Sequence, residues 1–110
     1  MEKFLVARFD VYSNPGNHNL TTPYLLDVQA DLFDSLDSRM VIPLRSMDNF
    51  PNVKLPTRLT PVLTIIGKEY LLEVPKMGAV PKRVLKTPVV SLVDEQVKII
   101  SALDFLFQGY

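Results

Sequence analysis

Few residues in this chain could carry out chemistry. Its one histidine, His18, lies in a polar loop between Asn17 and Asn19. A general base needs a positioned partner. None is close in sequence, so His18 reads as a solvated loop residue, and any site that needs two histidines is excluded. Cysteine is absent. That removes a disulfide framework, thiolate zinc or iron–sulfur ligation, and a cysteine nucleophile, and it suits a reducing cytoplasm. Asp27, Asp31, Asp34 and Asp37 cluster closely enough to suggest a hard-cation site. Their spacing is not that of a calcium loop, and the glycine that bends such a loop is missing. They read as turn and cap residues. No nucleophile elbow, phosphate-binding loop or paired-histidine zinc motif occurs. The expectation is a protein that is not an enzyme and takes no cofactor or metal.

Two other groups of residues point to binding. Lys76, Lys82, Arg83 and Lys86 form a local basic segment. Such residues guard edge strands, and they can also dock an acidic partner. They lack the interleaved aromatics of a platform for single-stranded nucleic acid. The second group is Phe105-Leu106-Phe107-Gln108-Gly109-Tyr110, large apolar and aromatic residues where a chain end is usually polar and frayed. Phe107 falls on the core side of a helix, so packing is its default role. Phe105 and Tyr110 are harder to bury, and exposed aromatics are enriched at binding hot spots. Packing, a dimer contact and a partner site all remain open for them.

These residues must be positioned by one small domain, expected to span 1–110. Apolar residues make up 47% and charged residues 22%, a globular balance, and 12 basic residues offset 12 acidic ones. Net charge therefore argues for neither nucleic acid nor an anionic membrane. The apolar run Phe4–Ala7 is too short for a signal-peptide core, and no run approaches the roughly 20 residues of a membrane span. A cytoplasmic protein is expected. Nine prolines are spread through the first 90 residues. They exclude long helices there, because each removes a donor and disfavours helical geometry before it.

Strands are predicted at Phe4–Tyr12, Tyr24–Ala30, Met40–Leu44, Pro61–Ile66, Glu69–Val74, Val80–Lys86 and Val89–Val90. Pro43 places the third of these at an edge or a bulge. Ser13–Pro23 reads as a turn-rich loop, Asp31–Arg39 as a connection, and Ser46–Thr60 as irregular with room for one helical turn. A type II′ turn at Gly67-Lys68 joins the fourth and fifth strands. One helix is predicted, from Ser91 to about Phe107, with Ser91 as cap and Gly109 at the left-handed stop. At about 100° per residue, Leu92, Val93, Val97, Ile99, Ile100, Leu103, Leu106 and Phe107 share half of its wheel. A lone helix with so wide an apolar face must lie on a sheet. The expected fold is mainly β, a small antiparallel sheet or partly closed barrel with one C-terminal helix.

Four segments in order resemble the CcdB family of toxins from bacterial toxin–antitoxin modules. Leu26–Asp34 (LDVQADLFD) is similar to that family's VDVQSDLLD segment, and Arg39–Leu44 (RMVIPL) to its RMVIPL strand. Ala79-Val80-Pro81 resembles its SVPV stretch, and the helix running out through Gly109 resembles its ending. The resemblance covers nearly the whole chain. It implies an SH3-like barrel, a homodimer, and a toxin without catalysis that binds the DNA gyrase A subunit and traps the cleaved complex. It also implies a CcdA-type antitoxin whose C-terminal arm folds onto the toxin and with which it autoregulates transcription. By position, Leu32 and Phe33 match an apolar gyrase-contacting pair. Asp104, Phe107, Gln108, Gly109 and Tyr110 match the helix-end gyrase site. Gln108 stands where the best-known member has tryptophan, Asp104 where it has asparagine, and Tyr110 where it has isoleucine. Lys82, Arg83 and Lys86 are the expected antitoxin contacts. Two alternatives accompany this reading. One is a non-toxic or retargeted member that still binds antitoxin. The other is an mRNA endoribonuclease of the MazF or Kid type, in which His18, Arg39, Arg45 and Arg58 would supply the chemistry.

Overall fold

A computed structural model describes residues 7–48 and 56–110. Among the described residues there are seven strands: β1 (Asp10–Ser13), β2 (Tyr24–Asp27), β3 (Ser38–Ser46), β4 (Val62–Ile65), β5 (Lys68–Leu72), β6 (Gly78–Pro81) and β7 (Val90–Ser91). One helix, α1 (Gln96–Gln108), follows them. Every strand pairing is antiparallel. The strands run β4-β5-β3-β2-β1-β7, with β6 also on β3, in a nearly closed barrel-like sheet. This is the mainly β, SH3-like architecture with a C-terminal helix that the sequence predicts. Phe4–Val6 of the first predicted strand lie outside the described residues, as do residues 49–55 of the predicted irregular stretch. The helical turn expected there is present at its end, where the Pro56 carbonyl accepts hydrogen bonds from the Leu59 and Thr60 amides.

The third strand is longer than predicted and lies in the middle of the sheet, not at an edge. β3 pairs with β2 along one side. On its other side it pairs first with β6, through Ser38–Val41, and then with β5, through Leu44–Ser46. Pro43 falls where β6 gives way to β5. In an extended residue the N and C=O point the same way, and the Pro43 carbonyl accepts from the Glu73 amide at 3.0 Å. The missing N–H therefore faces the changeover between partners, outside the paired residues of either neighbour.

The hairpin between β4 and β5 closes on the pair Ile65–Lys68. Its turn residues are Ile66 (φ 49°) and Gly67 (φ 76°). Two positive φ angles define a type I′ turn, set one residue earlier than the predicted type II′ turn. Glycine suits the second position, whereas a β-branched isoleucine is strained at the first.

Alternation along the strands builds two cores. Val11, Leu26, Ile42 and Leu44 face the main core with Leu63, Ile65, Leu72 and Val74, and α1 closes it with Ile99 and Ala102. Tyr12, Leu25 and Val41 face the other side, where Leu85 covers them. The helix begins later than predicted, because Val93–Glu95 forms a 3-10 turn ahead of it. Ser91 Oγ accepts from the Val93 amide at 3.2 Å at the entry to that turn, so it is not the cap of α1, whose N-cap is Glu95. The buried stripe is also narrower than the predicted half-wheel. Ile99 and Ala102 are fully buried, with Ile100, Leu103 and Leu106 packed beside them. Val97 and Phe107, predicted to face inward, are exposed.

Candidate functional site

The end of α1 builds one candidate surface. Gly109 takes the left-handed conformation (φ 78°), and its amide donates to the Phe105 carbonyl at 2.9 Å, as the sequence predicts for the stop. The stop turns Tyr110 away from the barrel. Phe107 is 71% exposed and Tyr110 74%, and Asp104, Gln108 and Gly109 are exposed beside them. Packing as the default role of Phe107 is therefore corrected. Leu106 and Leu103 fill the core positions, and Phe107 lies on the flank of the stripe. Phe105 is half-buried on another side of the helix. The Arg58 guanidinium lies 4.8 Å from its ring centroid and donates from Nε to Ser101 Oγ at 3.2 Å.

Leu32 and Phe33 form a second surface. They sit on a 3-10 turn, Asp31–Phe33, none of whose residues is buried. Leu32 is 85% exposed and Phe33 50%, with Leu36 exposed close by in sequence. The sequence reading missed Leu36. Turn and helix end are carried by different elements. Besides the main core, α1 lies against the turns Val74–Lys76 and Val93–Glu95.

Beneath the Asp31–Phe33 turn lies a cluster of charges around a buried ion pair. Arg39, in β3, is completely buried. Its Nε donates to Asp27 Oδ2 at 2.7 Å and its Nη2 to Asp27 Oδ1 at 2.8 Å, a two-pronged bond to a fully buried carboxylate in β2. Asp31 and Asp34 stand 3.6 and 3.4 Å from the same guanidinium. Burial pushes the Asp27 carboxyl above its ordinary pKa, against the pull of Arg39. The neighbouring carboxylates outweigh desolvation on Arg39 and hold it charged. Asp27 is therefore a strand residue in a buried ion pair and not a turn or cap residue. Asp31 and Asp34 do sit at the turn, as the sequence predicts. The available signal was the charge at the end of Tyr-Leu-Leu-Asp and at the start of Arg-Met-Val-Ile, two otherwise apolar strands. Among the described residues no group of three or more His, Cys, Asp or Glu side chains could hold a metal ion.

The basic segment divides. Arg83 and Lys86 line a groove of about 550 Å³ with Ser13, Pro15, Val84 and Thr87. Lys82 faces the acidic turn instead, its Nζ 3.0 Å from Asp34 Oδ1 and 2.6 Å from the Asp34 carbonyl. Lys76 pairs with Glu73 at 3.2 Å. The four residues named for ribonuclease chemistry are also dispersed. Arg39 is buried in its ion pair, and Arg58 lies against α1. Only His18 and Arg45 share a depression, about 380 Å³, with Glu73 and Lys76. No helix among the described residues is long and apolar enough to cross a membrane.

Comparison with known proteins identifies the family. A family model described as CcdB protein matches residues 8–109, nearly the whole chain. No curated protein matches it.

Proposed function

Because this chain belongs to the CcdB family, toxins of toxin–antitoxin modules, we propose that it poisons DNA gyrase by docking on the gyrase A subunit and trapping the cleaved-DNA complex. One observation carries the reading: Phe107 and Tyr110 project from a capped helix end and are not buried in the barrel. Asp104, Gln108 and Gly109 complete that contact, and Leu32 and Phe33 add the second. The protein acts as a cytoplasmic homodimer, in which a two-fold axis presents each patch twice. Two helix ends near that axis form one apolar wedge that suits a partner with the same symmetry. Aromatic anchors of this kind dominate binding energy in protein interfaces. Gln108 provides no ring, and Tyr110 supplies the second aromatic in its place. No bond is made or broken by the toxin.

Neutralisation comes from a CcdA-type antitoxin, whose acidic arm lies in the groove lined by Arg83 and Lys86 with Lys82 at its margin; toxin and antitoxin together autoregulate their transcription. Supercoiling by purified gyrase tests the reading. Inhibition with gyrase-dependent DNA cleavage, relieved by antitoxin, is expected. Intact supercoiling at micromolar dimer, with normal growth on expression without antitoxin, would show a non-toxic member instead.

A further inference from the structure

We propose that Gln29, Arg39 and Lys82 are positioning residues: together they clamp the turn that carries Leu32 and Phe33, an inference that rests on reading this turn as a gyrase contact. Beyond Val28, which is buried in the main core and donates its amide to the Met40 carbonyl at 3.0 Å, the connection between β2 and β3 has little else to hold it in place. Its amide bonds from Phe33 to Ala30, from Asp34 to Asp31 and from Leu36 to Phe33 are all internal. The Asp31–Phe33 turn buries no side chain, and its two largest groups point into solvent. Hydrophobic burial therefore does not fix its pose, and the work falls to directed polar bonds.

Those bonds converge from three side chains. Gln29 donates from Nε2 to the Phe33 and Ser38 carbonyls, both at 3.2 Å, and accepts from the Met40 amide at 3.0 Å. It thus ties the two ends of the connection to the start of β3. Arg39 reaches the Gln29 carbonyl at 3.1 Å and Asp34 Oδ1 at 3.4 Å, from a guanidinium already locked by Asp27. Lys82 closes the far side, with its Nζ on the Asp34 carbonyl and carboxylate and its amide on the Asp37 carbonyl at 2.7 Å. Two further bonds come from Arg8, from its amide to Asp31 Oδ1 at 2.7 Å and from its Nε to the Val28 carbonyl at 3.0 Å. The anchors lie on β3 and on the segment after β6, both parts of the barrel, so the turn is held to the rigid body from two sides. A rigid platform lowers the ordering cost of binding, which makes these residues contributors to affinity without touching the partner.

The test uses the full-length protein with Gln29→Glu, which keeps the acceptor but loses the amide donor, and with Lys82→Met, which loses the ammonium at similar length. Both sites lie outside the two cores, so the barrel is retained even where Arg39 variants fail to fold. Hydrogen exchange at the Phe33, Asp34 and Leu36 amides should speed up by about tenfold, as loss of a charge-assisted bond implies. Exchange at Leu26 and Ile42 should stay unchanged, and Lys82→Arg should restore protection. Affinity for the gyrase A subunit should fall in step. Unchanged exchange in both variants overturns the clamp. Faster exchange with undiminished gyrase affinity, where Leu32→Ala does weaken binding, overturns the positioning role. If Leu32→Ala also binds like the wild type, the reading of this turn as a gyrase contact is what fails.

Discussion

At the scale of single residues, electrostatics inside the fold outweighs the surface charges. Removing one partner of a buried ion pair leaves the other uncompensated and typically costs about 3–5 kcal/mol. Arg39→Gln should therefore lower stability by about that amount in urea titration. The apolar pair Asp27→Leu with Arg39→Met should recover much of it. Asp10 offers the complementary case. Burial raises its pKa above 3.8, and the Asp27 and Asp31 charges push it the same way. A folded-state pKa above the unfolded one means that the native chain holds a proton the unfolded chain has released. The stability this group contributes is then present at low pH and is lost as pH rises through the raised value. Asp10→Asn should raise the melting temperature at neutral pH, with the gain shrinking as pH falls toward 3.8. The charges at the strand ends hinted at this pairing, but nothing in the sequence matched one to the other. Asp27 and Arg39 lie 12 residues apart, and only the β2–β3 register, with both side chains buried, brings them together. Even their closeness along the chain to other aspartates pointed to turns.

At the scale of elements, local chemistry was a good guide to existence and a poorer one to boundaries. The β4–β5 hairpin was readable from Gly67, but which turn it adopts depended on register, and that put Ile66 in the left-handed region. Asparagine tolerates that conformation far better. Ile66 is largely exposed, so Ile66→Asn should stabilise the protein by about 1 kcal/mol, read as a higher urea midpoint with an unchanged slope. The helix was readable from its apolar period and from Gly109. The period could not show how much of the stripe the barrel covers. Ile99→Ala should cost about 2–5 kcal/mol, as a buried large-to-small change does, while Val97→Ala on the exposed face should fall within about 0.5 kcal/mol of wild type. The exposure of Phe107 follows from the same geometry, because Leu103 and Leu106 already occupy the core positions at that end.

At the scale of the whole molecule, a nearly closed barrel is sealed by one helix, and the aromatic end of that helix is left free. The fold class was legible because frequent prolines, alternating strands and one amphipathic helix allow few architectures. The grouping of the basic residues was not, since β6 and the turn after it send Lys82 one way and Arg83 the other. In the function proposed above, the toxin seats this aromatic end on gyrase. The measurement that tests it most directly is binding of the gyrase A subunit by the Phe107→Ala, Tyr110→Ala double variant, with its melting temperature and antitoxin binding recorded alongside. A loss of gyrase affinity of at least about thirtyfold, as removal of a hot spot implies, with melting and antitoxin binding unchanged, is the result predicted. Wild-type affinity for gyrase in a fully folded double variant would contradict it.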